Sequence, residues 1–189
     1  MSKIAFKSNE SGTATFTIEA PATNTNRIFE LPDEAGKILT NATPGTVLQV
    51  VQGTTTTPVF VSTLNYTDTT LSASITPTSA TSKILVLVSQ NTGLERTGSD
   101  RNTIEYKILR NAVEIYNNPI ILSFIGGVNP NNEIRLRGNI FSSVLDDPNT
   151  TTSITYKTQG RPTETSAGGR ATFQIIDGVS SITLMEIAG

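Results

Sequence analysis

The chain has 189 residues, a formal net charge of -2, and neither His nor Cys. Those absences exclude a disulfide framework, thiolate or imidazole metal sites, and Ser-His-Asp or Cys-His catalysis. A slightly acidic chain without a basic run also lacks the charge that nucleic-acid binding needs, and no apolar stretch approaches the roughly 18 residues of a membrane span.

What remains is polar and β-rich. Thr (31), Ser (17) and Asn (15) together supply a third of the residues. The first residues, Met1 to Gly12, lack the apolar stretch of a signal peptide. In chain order, the first patterned stretch is Thr13-Ala14-Thr15-Phe16-Thr17-Ile18-Glu19. Its alternation puts Ala14, Phe16 and Ile18 on one face of a strand. The segment continues to Leu39 and meets a turn-rich junction, Thr40-Asn41-Ala42-Thr43-Pro44-Gly45. A stretch of about 40 residues without a disulfide or metal does not build a private core. Residues 1–45 therefore read as a short extended β arm that leans on another surface, and residues 46–189 as the folded domain.

Within that domain the predicted strands are 46–52, 58–63, 70–76, 83–89, 103–110, 113–116, 119–125, 133–137, 139–145, 152–158, 171–176 and 181–187. Thr, Val and Ile favour the pleated surface of a sheet. Lys83 to Val88 is a continuous apolar run, which predicts burial on both faces. Ile134 and Leu136 face inward while Arg135 and Arg137 face outward. In the last strand Ile182, Leu184 and Glu186 share one face and Thr183, Met185 and Ile187 the other, which predicts a central strand or a subunit contact. Turn signals such as Asn129-Pro130-Asn131-Asn132, Asp146-Asp147-Pro148-Asn149 and Gly168-Gly169 separate the runs. The fold class that follows is all-β: the extended N-terminal arm, then a jelly-roll-like antiparallel β-sandwich.

Carboxylates are the conventional catalytic groups that remain, and a glycan-cleaving protein needs two of them across a cleft. The candidates are Asp68, Asp100, Glu105, Glu133, Asp146, Asp147 and Asp177. Asp146, Asp147 and Asn149 also carry oxygen ligands suited to calcium, yet their spacing is that of a turn and not of an EF-hand. No catalytic residue, metal or cofactor is expected. Binding through loops fits better: Asn91 to Asn102, Gly126 to Asn132 and Gln159 to Arg170 present Arg96, Asp100, Arg101, Asn131, Asn132, Arg161 and Arg170 as candidate receptor contacts. Tyr106, Tyr116 and Tyr156 sit in strand patterns and read as core or interface.

Residues 12–39, with Phe16-Thr17-Ile18, Pro21, an Asn/Thr-rich turn, Arg27 and Leu31-Pro32-Asp33-Glu34-Ala35-Gly36-Lys37-Ile38, resemble a segment of bacteriophage tail-fibre and other virion proteins. Leu64 to Val86 and the ending Leu184-Met185-Glu186-Ile187 are similar to C-terminal domains of phage fibres. The matches cover about a third of the chain and carry no catalytic residues. The resemblance implies a virion structural protein that is not an enzyme, a trimeric tail, neck or head fibre subunit exposed on the particle after assembly in the host cytoplasm. Phe16, Ile18, Ile28, Phe29, Leu31, Ile38 and Leu39 would then anchor the arm to another phage structural protein or to sister copies. The expected partners are two further copies of the chain, that anchoring protein and a host-surface glycan, without nucleic acid or membrane insertion. A capsid decoration or cement protein is the alternative, and a polysaccharide depolymerase a third reading.

Overall fold

The Thr/Val/Ile alternation builds strands at almost every predicted position. The computed structural model describes residues 11, 22, 43–97, 101–119, 123–124 and 133–189. The chain divides into two compact units, Met1–Lys37 and Ile38–Gly189, and the elements below belong to the second. The arm residues Phe16, Ile18, Ile28, Phe29, Leu31, Ile38 and Leu39 lie outside the described residues, as do Asp100, Asn131 and Asn132.

Eleven strands are described: β1 (Val47–Thr55), β2 (Val59–Val61), β3 (Thr67–Ile75), β4 (Lys83–Thr97), β5 (Asn102–Arg110), β6 (Val113–Asn118), β7 (Ser123–Phe124), β8 (Glu133–Asp146), β9 (Ile154–Pro162), β10 (Arg170–Phe173) and β11 (Ser180–Ile187). The one helical element among the described residues is a 3-10 turn at Ser166–Gly168. All strand pairs are antiparallel. β8 runs along the full length of β4. The opposite edge of β4 is shared end to end by β11 and β10, which in turn pair with β1 and β2. The second sheet runs β3-β9-β5-β6, with β7 further along β5.

Counting β1/β2, β6/β7 and β10/β11 each as one interrupted strand leaves eight. One sheet then holds the first, eighth, third and sixth, and the other the second, seventh, fourth and fifth. This order is that of a jelly roll, an antiparallel ribbon wrapped into two facing sheets. The jelly-roll-like sandwich expected from the sequence is therefore the fold observed.

Between the sheets lie two apolar clusters. The larger centres on Leu71, Ile84, Val86, Tyr106, Tyr156 and Leu184, the smaller on Val61, Leu94, Ile104, Ala171 and Phe173. Tyr106 and Tyr156 are core residues, and burial raises both phenol pKa values, with Asp146 adding to the effect on Tyr156. β11 is central, between β1 and β4. Two readings change. First, Leu85 and Leu87 are only half-buried, because the outer face of this sheet carries no covering layer among the described residues. Second, β4 continues to Thr97, so residues 91–97 are strand and not loop.

At the sandwich corner β1 and β3 approach closely. A Cβ on Gly53 would clash with the Ser72 carbonyl oxygen, a backbone atom that cannot swing aside. Gly53→Ala should therefore destabilise the domain by about 2 kcal/mol and lower the melting temperature by about 4–8 °C. An unchanged melting curve would show that the corner is looser than this.

Candidate functional site

Period two turns the odd-numbered residues of β4 toward the outer face of its sheet. At the β10 end these are Gly93 and Glu95. Register sets Arg135 of β8 and Arg170 of β10 on either side of Glu95. One row along, it sets Arg137 and Thr172 beside Gly93, with Phe60 of β2 beyond Thr172. Directly opposed residues share a face, so the rows bring these side chains together.

Glu95 is the hub. Arg137 Nη2 donates to its Oε1 at 2.8 Å, Arg170 Nε to its Oε2 at 2.6 Å, and Arg170 Nη2 also reaches Oε2. The Arg137 guanidinium fits against the sheet because Gly93 has no side chain, since a Cβ there would stand 2.6 Å from Nη1 and 2.7 Å from Thr172 Oγ1. The Arg170 guanidinium carbon lies 4.9 Å from the Phe60 ring centroid, a cation–π contact. Pro58, Phe60, Ile175 and Ile176 complete the walls of a cleft of about 310 Å³, with Glu95, Arg135, Arg137 and Arg170 at its polar side. Ile176 belongs to the excursion that interrupts β10 and β11. It is 84% exposed and has φ 53°, a left-handed conformation that costs a β-branched residue on the order of 1–3 kcal/mol.

Burial alone would raise the Glu95 pKa, but the hydrogen bonds and charges of Arg137 and Arg170 win and hold it below the ordinary carboxyl value. A carboxylate kept ionised in this way is a poor general acid at neutral pH. The cleft is chemically an anion-facing surface: two guanidiniums meet one carboxylate, giving this trio a net charge of +1.

Of the candidate contact residues, Arg170 lies in this cleft. Arg101 is exposed just before β5. Arg161 is in β9, on the outer face of the other sheet. There it pairs with Glu105 at 2.6 Å, donates to Leu64 O at 2.7 Å and lies over the Tyr66 ring at 4.6 Å. The Tyr66 hydroxyl also donates to Glu105 at 3.1 Å, and burial followed by that carboxylate raises its pKa. Arg161 therefore braces the segment before β3. The loop reading fails for Arg96. Its backbone belongs to β4, and at 2% exposure its side chain points inward, where it donates to Arg101 O at 3.1 Å.

The described acids are dispersed. Asp68 binds Lys157 at 2.8 Å and Gln159 at 2.5 Å. Asp146 accepts from Arg110 at 2.9 and 3.1 Å and from Tyr156 at 2.6 Å, so cationic and phenolic donors occupy the oxygens that a calcium ion would need. Asp147 and Asp177 are exposed, and Asp177 has φ 54°. Among the described residues no three acidic side chains gather as a metal site.

Sequence reasoning missed Glu95, Arg137, Phe60 and Ile176 as site residues. The outward alternation of Arg135 and Arg137 was the available signal. The pairing of their row with Glu95 depends on a register set about 40 residues away.

No family model and no curated protein matches the chain. Among solved structures it is similar to that of the infectious bursal disease virus Gx strain, with 12% identity over 76% of this chain and 34% of that one, and a TM-score of 0.34. It is also similar to the T13 infectious bursal disease virus particle, with 10% identity over 76% of this chain and 36% of that one at a TM-score of 0.32. A third similar structure is the VP2 subviral particle of the same virus, with 12% identity over 79% of this chain and 37% of that one at a TM-score of 0.26. The chain spans about a third of the length of these structures.

Proposed function

We propose that the chain is a virion structural protein: a subunit of a trimeric phage fibre that attaches through residues 1–45 and presents the sandwich of residues 46–189 to the host surface. One observation carries this reading. The outer face of the β1-β11-β4-β8 sheet bears an in-register apolar row, Val50–Met185–Leu85–Leu145, with Phe141 four residues from Leu145 along β8 on the same face. Val50 is 55%, Leu145 56% and Phe141 75% exposed. Both inner sheet faces are already buried against each other and no described residue covers this row, and a contiguous exposed apolar surface marks a contact site. A second copy carries the same chemistry, and closed symmetric packing is the usual way such rows are covered. The segment resemblance of residues 12–39 supports the virion setting, and the arginine cleft supports surface binding.

Native mass measurement at micromolar concentration should give a trimer. Leu145→Glu, at an exposed position, should weaken association at least tenfold while the domain keeps its fold by circular dichroism. A wild-type monomer would sink the trimer. Labelling residues 1–40 on intact particles separates the fibre from the capsid decoration alternative: label at the tail or neck supports the fibre, and label across the head lattice supports decoration.

A further inference from the structure

We propose that the cleft over β4, β8, β10 and β2 binds an acidic sugar residue, a pyranose ring carrying a carboxylate. This deepens the host-surface reading above and rests on it for its biological setting.

The electrostatic part follows from donor accounting. A guanidinium offers five N–H groups. Arg137 uses one nitrogen, Nη2, on Glu95, and Arg170 uses two, Nε and Nη2. A purely structural brace for Glu95 requires a single guanidinium. With two present, N–H capacity and a positive charge are left facing the cleft. A carboxylate matches guanidinium geometry best, with parallel charge-assisted hydrogen bonds.

Shape selects a ring. The cleft of about 310 Å³ is at the small end of ligand sites and holds one such unit rather than a folded peptide. Its apolar walls, Phe60, Pro58 and the exposed Ile176, suit the C–H face of a pyranose, whereas a bare inorganic anion would gain nothing from them. Glu95 adds a third element. An ionised carboxylate has roughly four acceptor sites, and three are taken by the arginines. The fourth suits a ring hydroxyl. Carboxylate, apolar ring face and adjacent hydroxyl occur together in a uronic or sialic acid unit, and neither phosphate nor a simple acid has all three.

The test is a calorimetric or NMR titration of the full chain with methyl glucuronide, methyl glucoside, acetate and inorganic phosphate. Binding of the glucuronide at least tenfold tighter than that of the other three is the expected result. Phe60→Ala changes only the exposed rim and should weaken glucuronide binding several-fold. Arg137→Gln should weaken it at least tenfold, with thermal melting as the check on folding. Equal affinity for acetate or phosphate would reduce the cleft to a simple anion site and overturn the sugar assignment. Absence of glucuronide binding, or binding that Phe60→Ala leaves unchanged, would overturn the site. The oligomer mass and particle labelling above read the virion role separately, so failure of one proposal does not imply failure of the other.

Discussion

Gln90→Leu is expected to lower stability by about 3 kcal/mol and the melting temperature by about 6–12 °C, although Leu is more apolar and similar in size. Gln90 is fully buried between the two apolar clusters. Its Oε1 accepts from Thr158 at 2.8 Å and Thr69 at 3.2 Å, and its Nε2 donates to Ser180 Oγ at 3.1 Å. Ser180 Oγ also accepts the Asn91 N–H at 2.8 Å. Gln174 closes the layer. With its amide nitrogen toward two carbonyls it donates to Thr69 O at 3.0 Å and Thr57 O at 3.2 Å, while its oxygen accepts from Ser180 and Gln90.

The layer sits where β1 breaks into β2 and β11 into β10. A broken ladder leaves buried backbone groups that need partners, and the side-chain amides supply them. A leucine at position 90 strands several of these groups at once, at about 1–3 kcal/mol for each one left unsatisfied. Urea unfolding of Gln90→Leu, Thr158→Val and the double variant measures this. The double variant should be less destabilised than the sum of the singles, because the two partners are removed together. Additive losses, or a Gln90→Leu stability equal to wild type, would show that the layer does not act as one network.

Most of the strand plan is legible from local pattern. Leu71, Ala73 and Ile75 alternate with Ser and Thr, and all three point inward. What local pattern could not show was set by pairing. Asn91-Thr92-Gly93 and Arg96-Thr97 read as a loop by their turn residues, yet pairing of β4 with β8 from Gln90↔Ile140 to Thr97↔Glu133 holds them in one long strand. Residues 133–137 and 139–145, which read as two strands, join for the same reason. The candidate site was harder still. Arg170 could be named from its charge and position, but its value depends on Glu95, Arg137 and Phe60. These come from three other strands and meet only through register, and a shift of one residue would send any of them to the opposite face. Arg96 fails for the complementary reason: its neighbours look like a loop, but its even-numbered place in β4 points it inward.

Glu95→Gln should lower stability by about 2 kcal/mol at pH 7, and the difference from wild type should close as the pH falls. Removing one partner of a buried pair costs roughly 3–5 kcal/mol, and the smaller value here reflects guanidiniums that are about a third exposed and partly screened. The neutral amide leaves Arg137 and Arg170 repelling each other across the position that held the charge. The sign of the pH effect follows from linkage. The folded-state pKa of Glu95 is lowered, so its contribution is complete above the unfolded value of about 4.3–4.5 and is lost as pH falls through the folded value. Burial also works against the charged forms of Glu186 and Asp68. Hydrogen bonds from Gln49 and Thr78 to Glu186, and from Lys157 and Gln159 to Asp68, outweigh it and lower both pKa values. Hydrogen bonds from Ser166 and Thr165 lower the pKa of Glu164 as well, so below about pH 4.5 the wild type should lose stability through Glu95, Glu186, Asp68 and Glu164, and Glu95→Gln through the last three. Urea unfolding of both proteins at pH 7, 5, 4 and 3 should show a gap that is constant down to about pH 5 and narrows below it. A gap that stayed constant at pH 3 would mean that the substitution acts through packing, and that the ion pairs beneath the cleft do not set its stability.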